Sequence, residues 1–497
     1  MSKPRGGDGL LIAIDQGTSS VKVLAFDLSG RPVKTVVAPT EVRLSGEDTM
    51  EAYPERWWSQ TVQCLRELLL DPHFRPNNIR AIGLCGVMHT VIPVDATGRA
   101  LAAAPLWADQ RYRNNPSPAY QAVSDRIREP SSNSCIGRLT WLLDKDPTLK
   151  TRARYLLPVK DFLRYKLSGV AATDCYEAGG TGLCGNHGTQ WSPELLDLLE
   201  IPVDSLPAIL RPDSQAGGVT AAAAEATGLP AGTPVIVGTS DWHAALLGSN
   251  AFLPARASLY LGTAGVLGAF RSHRDLGDFG EAVCFGAVTS TGSALDWLAH
   301  VIEPGTSGRP DVGAESVSQL AGRSDVGAHG LVFLPHLMGE RGGSIRPNAT
   351  GTLTGLRLNH DRCDLARAVI EGTAMWLRMV TTKAVLSERI DALVATGGGA
   401  RDPLNATIAA AIYQKPVIVP EVTEAGALGV AILAAKGVGI IEDQADAAAN
   451  WVRTRVIEQP TPELVDRYAE VFERFIRTEQ VLRALEQMAS SSSVAVA

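Results

Sequence analysis

Short apolar runs alternate with polar turns along the first hundred positions of the chain. Residues 10–14 and 23–26 are apolar and flank the polar segment 15–22, which is typical of two strands joined by a tight turn. Residues 55–70 then carry apolar side chains at helical spacing, and residues 79–84 form an apolar run expected of a buried strand. This order of strand, helix and strand predicts an α/β architecture.

The second half of the chain opens on the same pattern. An apolar run at 257–261 leads into Gly262-Thr263-Ala264-Gly265 and a second apolar run at 266–270. A third glycine-rich turn, at 397–400, follows the apolar residues 392–395. Two halves that begin alike predict a duplicated fold with a ligand between them.

A chain of 497 residues is too long for a single hydrophobic core, so we expect two domains. Residues 248–254, with Gly248 and Pro254 at their ends, are a plausible linker. The predicted domains are therefore 1–247 and 248–489, and the serine-rich tail 490–497 is expected to be disordered.

The polar segment after the first strand has the groups that bind a magnesium nucleotide. Asp15 can meet a metal, Gly17 allows close backbone approach, and Lys22 can meet phosphate oxygens. Each glycine-rich segment taken alone could be a simple turn without a ligand. Asp15 could likewise do no more than cap the turn that follows it. Three such turns after apolar strands favour phosphate binding. The motifs GxxxxGK[ST] and GxGxxG are absent from these turns, which disfavours a P-loop or Rossmann site.

A second carboxylate, Asp241, follows the apolar run 235–238. It could accept the proton of an attacking hydroxyl or simply cap the next helix, and spacing alone leaves both interpretations open. His243 is a further acid–base candidate. Met88-His89 and the segment 107–111 combine aromatic and polar groups suited to a polyol ligand.

Composition narrows the function further. The net charge of −7 argues against nucleic acid or an anionic membrane as a partner, and no apolar run is long enough to span a bilayer. The seven cysteines are scattered without a CxxC pair, which indicates reduced thiols rather than disulfides or zinc. The polar first nine residues lack a signal-type apolar segment, so a cytoplasmic protein is expected.

Together these motifs resemble the FGGY carbohydrate kinases, and among them the xylulokinases, over residues 10–437. The first phosphate motif, Met88-His89, the Trp-x-Asp-x-Arg segment at 107–111, the second phosphate turn and the adenosine loop at 397–400 occur in family order. Residues 351–371 fit the C-terminal signature of the family.

This resemblance implies an α/β chain with a duplicated actin-like ATPase fold, which is ribonuclease H-like, and two domains with an interdomain cleft. It implies transfer of the γ-phosphate of ATP to a sugar hydroxyl, with Asp241 as general base and Asp15 at Mg²⁺. The implied substrate contacts are Met88, His89, Trp107, Asp109, Asp241 and Trp242, and the implied nucleotide contacts are Gly17, Thr18, Ser19, Lys22, Gly262, Thr263, Gly398, Gly399, Ala400 and Asn405.

The chain departs from the family pattern at two positions, one beside the proposed base and one in the second phosphate turn. Trp242 stands where xylulokinases carry asparagine after the base, and Ala264 stands where serine is common in the second phosphate turn. The resemblance implies D-xylulose as the small-molecule partner, and the departure at Trp242 makes gluconate or a different ketose the alternative. A non-catalytic sugar sensor or an actin-like filament protein is a remote alternative, and homodimerisation is left open.

Overall fold

The chain divides into two compact units. The computed structural model describes residues 9–45, 48–71, 74–114, 116–126, 135–185, 188–273, 277–302, 317–337, 339, 349–387 and 389–493. The first unit comprises the chain up to Gly248 together with Glu424–Arg453, and the second comprises Ser249–Thr423 together with the chain from Thr454 onward. Residues 424–453, which sequence alone assigned to the second domain, thus pack in the first unit.

The strands are short and most of them belong to two sheets. In chain order they are β1 (Leu10–Gln16), β2 (Ser20–Asp27), β3 (Pro32–Pro39), β4 (Arg43–Ser45), β5 (Thr49–Ala52), β6 (Ile79–Gly86), β7 (Val91–Val94), β8 (Ala104–Pro105), β9 (Tyr155–Pro158), β10 (Ala172–Asp174), β11 (Ala208–Leu210), β12 (Gln215–Gly218), β13 (Pro234–Ile236), β14 (Thr239–Ser240), β15 (Arg256–Leu261), β16 (Gly265–His273), β17 (Gly277–Val288), β18 (Val332–Leu334), β19 (Thr352–Thr354), β20 (Ala392–Thr396), β21 (Val417–Pro420) and β22 (Thr454–Glu458).

The helices vary from one turn to more than eight turns. They are α1 (Pro54–Leu69), α2 (Arg111–Asn114), α3 (Pro118–Arg126), α4 (Ile136–Lys145), α5 (Leu149–Arg152), α6 (Val159–Ser168), α7 (Cys175–Thr181), α8 (Pro193–Leu199), α9 (Ala221–Thr227), α10 (Asp241–Gly248), α11 (Gly292–Ile302), α12 (Arg362–Ser387), α13 (Pro403–Tyr413), α14 (Ala425–Gly437), α15 (Gln444–Trp451) and α16 (Pro462–Ser493).

The main sheet of the first unit has the order β12-β13-β6-β1-β2-β3, and β14 also pairs with β6. Strands β1, β2 and β3 are antiparallel neighbours, whereas β1, β13 and β14 each run parallel to β6. Side chains such as Ile12, Val23 and Ile82 are fully buried beneath this sheet. The parallel strands therefore bring their carboxyl ends to one edge.

The main sheet of the second unit repeats this plan. Its order is β17-β16-β15-β20-β21-β22, with β15, β16 and β17 antiparallel and with β20 parallel to both β15 and β21. An antiparallel meander followed by parallel strands thus occurs twice, which confirms the predicted duplication. The buried core of this unit includes Leu267, Leu393 and Trp376.

Helix α14 packs unusually close to its neighbours because glycines occupy the contact points. A Cβ atom added to Gly83 of β6 would lie 2.3 Å from the carbonyl oxygen of Val430. A Cβ atom added to Gly429 would lie 1.9 Å from the carbonyl oxygen of Ala244 in α10. The backbones of α10, α14 and β6 therefore meet almost directly, which fixes residues 424–437 in the first unit.

We predict that Gly429→Val lowers the free energy of unfolding by about 2–3 kcal/mol, since the added side chain forces α10 and α14 apart. Urea unfolding measures the change. Gly185→Val is the matched control, because open space surrounds Gly185, and it should shift stability by less than about 0.5 kcal/mol. Equal effects of the two substitutions would contradict the close contact.

The C-terminal helix extends further than the sequence indicated. Helix α16 ends at Ser493, so four residues of the tail expected to be disordered from position 490 are helical, while 494–497 lie outside the described residues. Throughout the described part of the chain, each helix is too short or too polar to cross a bilayer.

Candidate active site

Two carboxylates that the sequence placed far apart share one strand edge of the first unit. Asp15 pairs with Cys85 across β1 and β6, and Ser240 of β14 pairs with Gly86 at the end of β6. Asp241 follows Ser240 directly as the first residue of α10. The parallel pairing thus brings Asp15 and Asp241 to neighbouring positions, as strand ends commonly do at ligand sites.

The first phosphate hairpin is a tight turn. The Gly17 amide donates to the Ser20 carbonyl at 2.9 Å, which closes the turn between β1 and β2. The Trp107 indole Nε1 donates to Thr18 Oγ1 at 3.3 Å, while Ser19 is exposed. A residue from the predicted sugar-binding segment therefore contacts the phosphate hairpin directly.

Lys22 of this hairpin forms an ion pair with Glu424, which immediately precedes α14. The amino-terminal end of that helix also lies beside Asp15, because a Cβ atom added to Gly426 would be 3.3 Å from Asp15 Oδ2. Sequence reasoning missed Glu424. The only signal for it was an acidic residue directly before a helix of small residues.

The surroundings of the two carboxylates favour their protonated forms. Burial, opposed by the nearby Lys22, raises the pKa of Asp15. Burial and the charge of Asp15 raise the pKa of Asp241 to about 7, even though the Trp242 amide donates to Asp241 Oδ1 at 2.7 Å. A carboxylate with a pKa near neutrality is well suited to act as a general base.

His243 has a structural role rather than an acid–base role. Burial lowers its pKa to about 3, so the imidazole is neutral at physiological pH. Its Nδ1 lies 2.5 Å from Ser240 Oγ, and its ring stacks on Tyr176 with centroids 3.7 Å apart. These contacts fix the start of α10. The neighbouring Trp242 buries an indole Nε1 that finds no hydrogen-bond partner among the described residues.

The Met88-His89 pair follows β6 and faces α7. His89 adopts a left-handed backbone conformation with φ of 63°, which is uncommon for a residue other than glycine. Its Nδ1 lies 3.4 Å from the Gly180 carbonyl oxygen. A Cβ atom at Gly180 would come within 3.3 Å of His89 Nδ1 and 3.5 Å of Met88 Cε, so the glycine leaves room for both side chains.

Asp109, a predicted substrate contact, accepts several hydrogen bonds from the protein. Its side chain is 1% exposed, and Oδ2 accepts hydrogen bonds from the Met50 amide at 3.0 Å and from Arg111 Nε at 3.0 Å. Oδ1 accepts from Arg111 Nε at 3.1 Å. These bonds orient the segment that carries Trp107, and the contact of Asp109 with the substrate stays a prediction.

A cluster of fully buried charges supports the strand that leads to Asp241. Lys160 Nζ lies 2.6 Å from Asp161 Oδ1 and 3.0 Å from Asp174 Oδ2, and it donates to the Val237 carbonyl at 3.3 Å. Asp174 Oδ1 also accepts from Thr239 Oγ1 at 3.2 Å. The cluster thus binds β14 and the residues before it to α6 and α7.

The second unit carries the other predicted nucleotide-binding loops. Gly262-Thr263 lies between β15 and β16, and the Thr263 carbonyl accepts from the Thr291 amide before α11 at 3.0 Å. Gly397 has φ of 85° and no room for a Cβ atom, which would lie 2.6 Å from the Leu261 carbonyl oxygen. The loops at 262 and 397 are therefore in contact.

The adenosine-type loop, Gly398-Gly399-Ala400, is held by a residue of the following helix. Asn405 Nδ2 donates to the Gly399 carbonyl at 3.0 Å, so Asn405 shapes this loop. At the end of β20, the buried hydroxyl of Thr396 has no hydrogen-bond partner within the described structure. An unpaired hydroxyl directly before a glycine-rich turn suits a polar ligand.

Comparison with known proteins identifies the family of the chain. The model for the N-terminal domain of the FGGY family of carbohydrate kinases matches residues 10–248, and the model for the C-terminal domain matches residues 234–438. The xylulose kinase of Bacillus subtilis is 27% identical, with 94% of this chain and 95% of that protein covered. The gluconokinase of Bacillus licheniformis is 24% identical, with coverages of 95% and 96%.

Solved structures extend the likeness to three dimensions. The xylulose kinase from Rhodospirillum rubrum matches with a TM-score of 0.80 and 26% identity, over 96% of this chain and 99% of that one. The gluconate kinase from Lactobacillus acidophilus matches with a TM-score of 0.82 and 23% identity, over 95% and 98%. Its identity is low enough that it supports the fold alone. With both family models matched across residues 10–438 and an actin-like α/β plan present in each unit, the chain belongs to the FGGY family of carbohydrate kinases.

Proposed function

We propose that this carbohydrate kinase transfers the γ-phosphate of ATP to a terminal hydroxyl of D-xylulose. The Asp241 carboxylate accepts the hydroxyl proton while the sugar oxygen bonds to the γ-phosphorus. The bond between that phosphorus and the bridging oxygen breaks, and ADP leaves with the electron pair. The products are D-xylulose 5-phosphate, ADP and a proton.

The observation that carries this proposal is the position of Asp241. It shares a strand edge with Asp15 of the phosphate hairpin, and its pKa of about 7 matches the task of a base at neutral pH. The hydrogen bond from Trp107 to Thr18 joins the predicted sugar segment to the same hairpin. The proposed sugar contacts are Met88, His89, Trp107, Asp109, Asp241 and Trp242.

The residues at this edge fit a bound magnesium ion. Burial and the charge of Glu424 raise the pKa of Asp15, and burial and the charge of Asp15 raise the pKa of Asp241. A divalent cation beside Asp15 relieves this like-charge repulsion. The described residues contain no cluster of three or more His, Cys, Asp or Glu side chains that could hold an ion. We propose Asp15 as the protein contact of Mg²⁺, since it pairs with Lys22 across the phosphate hairpin. The ion would keep several waters in such a site and would neutralise charge on the phosphates.

The nucleotide contacts follow from the glycine turns and the lysine. In the first unit they are Gly17, Thr18, Ser19 and Lys22. Since Lys22 pairs with Glu424, phosphate oxygens compete with that carboxylate for the ammonium group. The contacts proposed in the second unit are Gly262, Thr263, Gly398, Gly399, Ala400 and Asn405. Of these, Asn405 also donates a hydrogen bond to the Gly399 carbonyl.

Gluconate is the second candidate acceptor. Trp242 follows the base where xylulokinases carry asparagine, and gluconokinases occur among the relatives. A panel of D-xylulose, other ketoses and gluconate in a coupled assay of ADP release separates the candidates. We expect D-xylulose to give the highest kcat/KM. If D-xylulose released no more ADP than the sugar-free control, the proposed acceptor would be wrong.

We also propose that the enzyme works in the cytoplasm. All seven cysteines are free thiols, and three of them, Cys64, Cys85 and Cys135, are buried. A chain with scattered unpaired thiols suits a reducing compartment.

The pH dependence of the reaction tests the base. Because Asp241 must be ionised to accept a proton, we predict that kcat/KM for the sugar falls about tenfold per pH unit on the acid side of the Asp241 pKa. That pKa is about 7 in the metal-free site and falls when Mg²⁺ is bound beside Asp15. Steady-state kinetics between about pH 5.5 and 8.5 measure the profile. Nucleotide affinity, followed by intrinsic fluorescence over the same pH range, is the control that shows whether low pH unfolds the protein. A rate that stays flat down to about pH 5 would contradict a base with this pKa.

A further inference from the structure

A single buried arginine connects the two segments that we assign to sugar binding. Arg138 lies in the first turn of α4, and its side chain is 4% exposed. Its Nε and Nη2 donate to the His89 carbonyl at 3.2 and 3.0 Å, and its Nη1 donates to the Trp107 carbonyl at 3.2 Å. One planar guanidinium group therefore spans two loops that follow different strands.

The hydrogen bonds from Arg138 to the His89 carbonyl stabilise an unfavourable backbone conformation. His89 is held in the left-handed region, which costs free energy for a residue with a Cβ atom. Two hydrogen bonds from a charged donor to its carbonyl stabilise that conformation. The third hydrogen bond, from Arg138 Nη1, holds the Trp107 carbonyl in place. It thereby restricts the backbone of the residue whose indole donates to Thr18.

Close packing of α4 against Tyr112 places Arg138 at this position. A Cβ atom at Gly137 would lie 2.4 Å from Tyr112 Cδ2, so the glycine lets the helix approach that ring. The Arg138 guanidinium carbon lies 5.9 Å from the centroid of the same ring. Burial lowers the pKa of Arg138, while the charge of Asp109 favours its ionised form. The buried guanidinium group of Arg138 thus donates to the carbonyl oxygens of both His89 and Trp107.

We propose that Arg138 is a positioning residue that sets the spacing between the Met88-His89 loop and the Trp107 loop, and thereby the affinity for the sugar. The inference rests on the proposed function, in which both loops contact the acceptor. It assigns Arg138 no contact with substrate. Its effect should therefore appear in the binding of the sugar and much less in the binding of ATP.

Arg138→Lys is the main test, because lysine keeps the charge and stem but lacks the planar fork that reaches two carbonyls. We expect KM for the sugar to rise by about tenfold or more, with KM for ATP within about twofold of the wild type. In Arg138→Ala, added guanidinium at low millimolar concentration should lower KM for the sugar again. Arg152→Lys is the control, since that arginine is more than half exposed, and it should leave both KM values unchanged.

Thermal unfolding shows whether each variant is folded, and Arg138→Gln replaces the alanine variant if that one does not fold. A folded Arg138→Lys enzyme with unchanged KM for the sugar would overturn the proposal. So would a proportional loss of activity at constant KM values, because that indicates only a smaller folded fraction. If instead the wild type phosphorylated no sugar of the panel, the proposed function would fail before Arg138 was tested.

Discussion

Asp241→Asn is expected to lower kcat by about two to four decades, the usual effect of losing a general base. Asparagine keeps the size of the side chain and can still accept the hydrogen bond from the Trp242 amide. It cannot take the proton of the sugar hydroxyl. Sugar-dependent release of ADP, measured at saturating ATP, quantifies the loss.

Nucleotide affinity and thermal stability are the controls for this variant. Burial and the charge of Asp15 oppose the ionisation of Asp241, so the carboxylate weakens the folded state as the pH rises through its folded pKa of about 7. Above that pH, Asp241→Asn should have a melting temperature at or above that of the wild type. A stable variant that kept full sugar-dependent turnover would disprove the assignment of the base.

Lys160→Met should lower the free energy of unfolding by about 3–5 kcal/mol, since it leaves the buried Asp174 without its lysine partner and leaves Asp161 with Arg164 alone as a cation. Lys160, Asp161 and Asp174 are all fully buried. Burial opposes the charge of Lys160, but the two carboxylates outweigh it and keep its pKa raised. Methionine removes their common partner, and such a loss is a large fraction of the stability of a typical domain. Urea unfolding of the whole chain measures it.

Lys166→Met is the matched control, because it removes a lysine from the same helix. Lys166 pairs with Glu55 at 3.0 Å, but both side chains are partly exposed. Its loss should therefore cost less than about 1 kcal/mol. Similar destabilisation by the two substitutions would mean that the buried cluster contributes no more than a surface ion pair.

The individual site residues were accessible to sequence analysis because each follows an apolar run. Asp15 lies at the end of β1 and Asp241 directly follows β14, and carboxylates at strand ends are recognisable from local pattern alone. Their proximity was not accessible, since it depends on the parallel pairing of β1 and β14 with β6. The hydrogen bonds that hold Asp109 were not accessible for a similar reason, since its partner Met50 comes from a distant strand.

Residues that act through long-range contacts left little trace in the sequence. Glu424 reaches Lys22 across about four hundred positions, and Arg138 bonds to carbonyl groups rather than to a recognisable motif. Lys160 looks like an ordinary helical lysine until its burial is known. Backbone oxygens and glycine contacts are common to every chain, so no residue pattern identifies them.

The sequence by itself determined the α/β class, the duplication, the glycine turns and the candidate chemistry, because hydrophobic period and turn composition are local properties. The tertiary structure alone decided which unit residues 424–453 join, since that depends on Gly83, Gly248 and Gly429 allowing backbones to meet. It also decided the raised pKa of Asp241. Burial and the proximity of a second carboxylate exist only once the chain has folded.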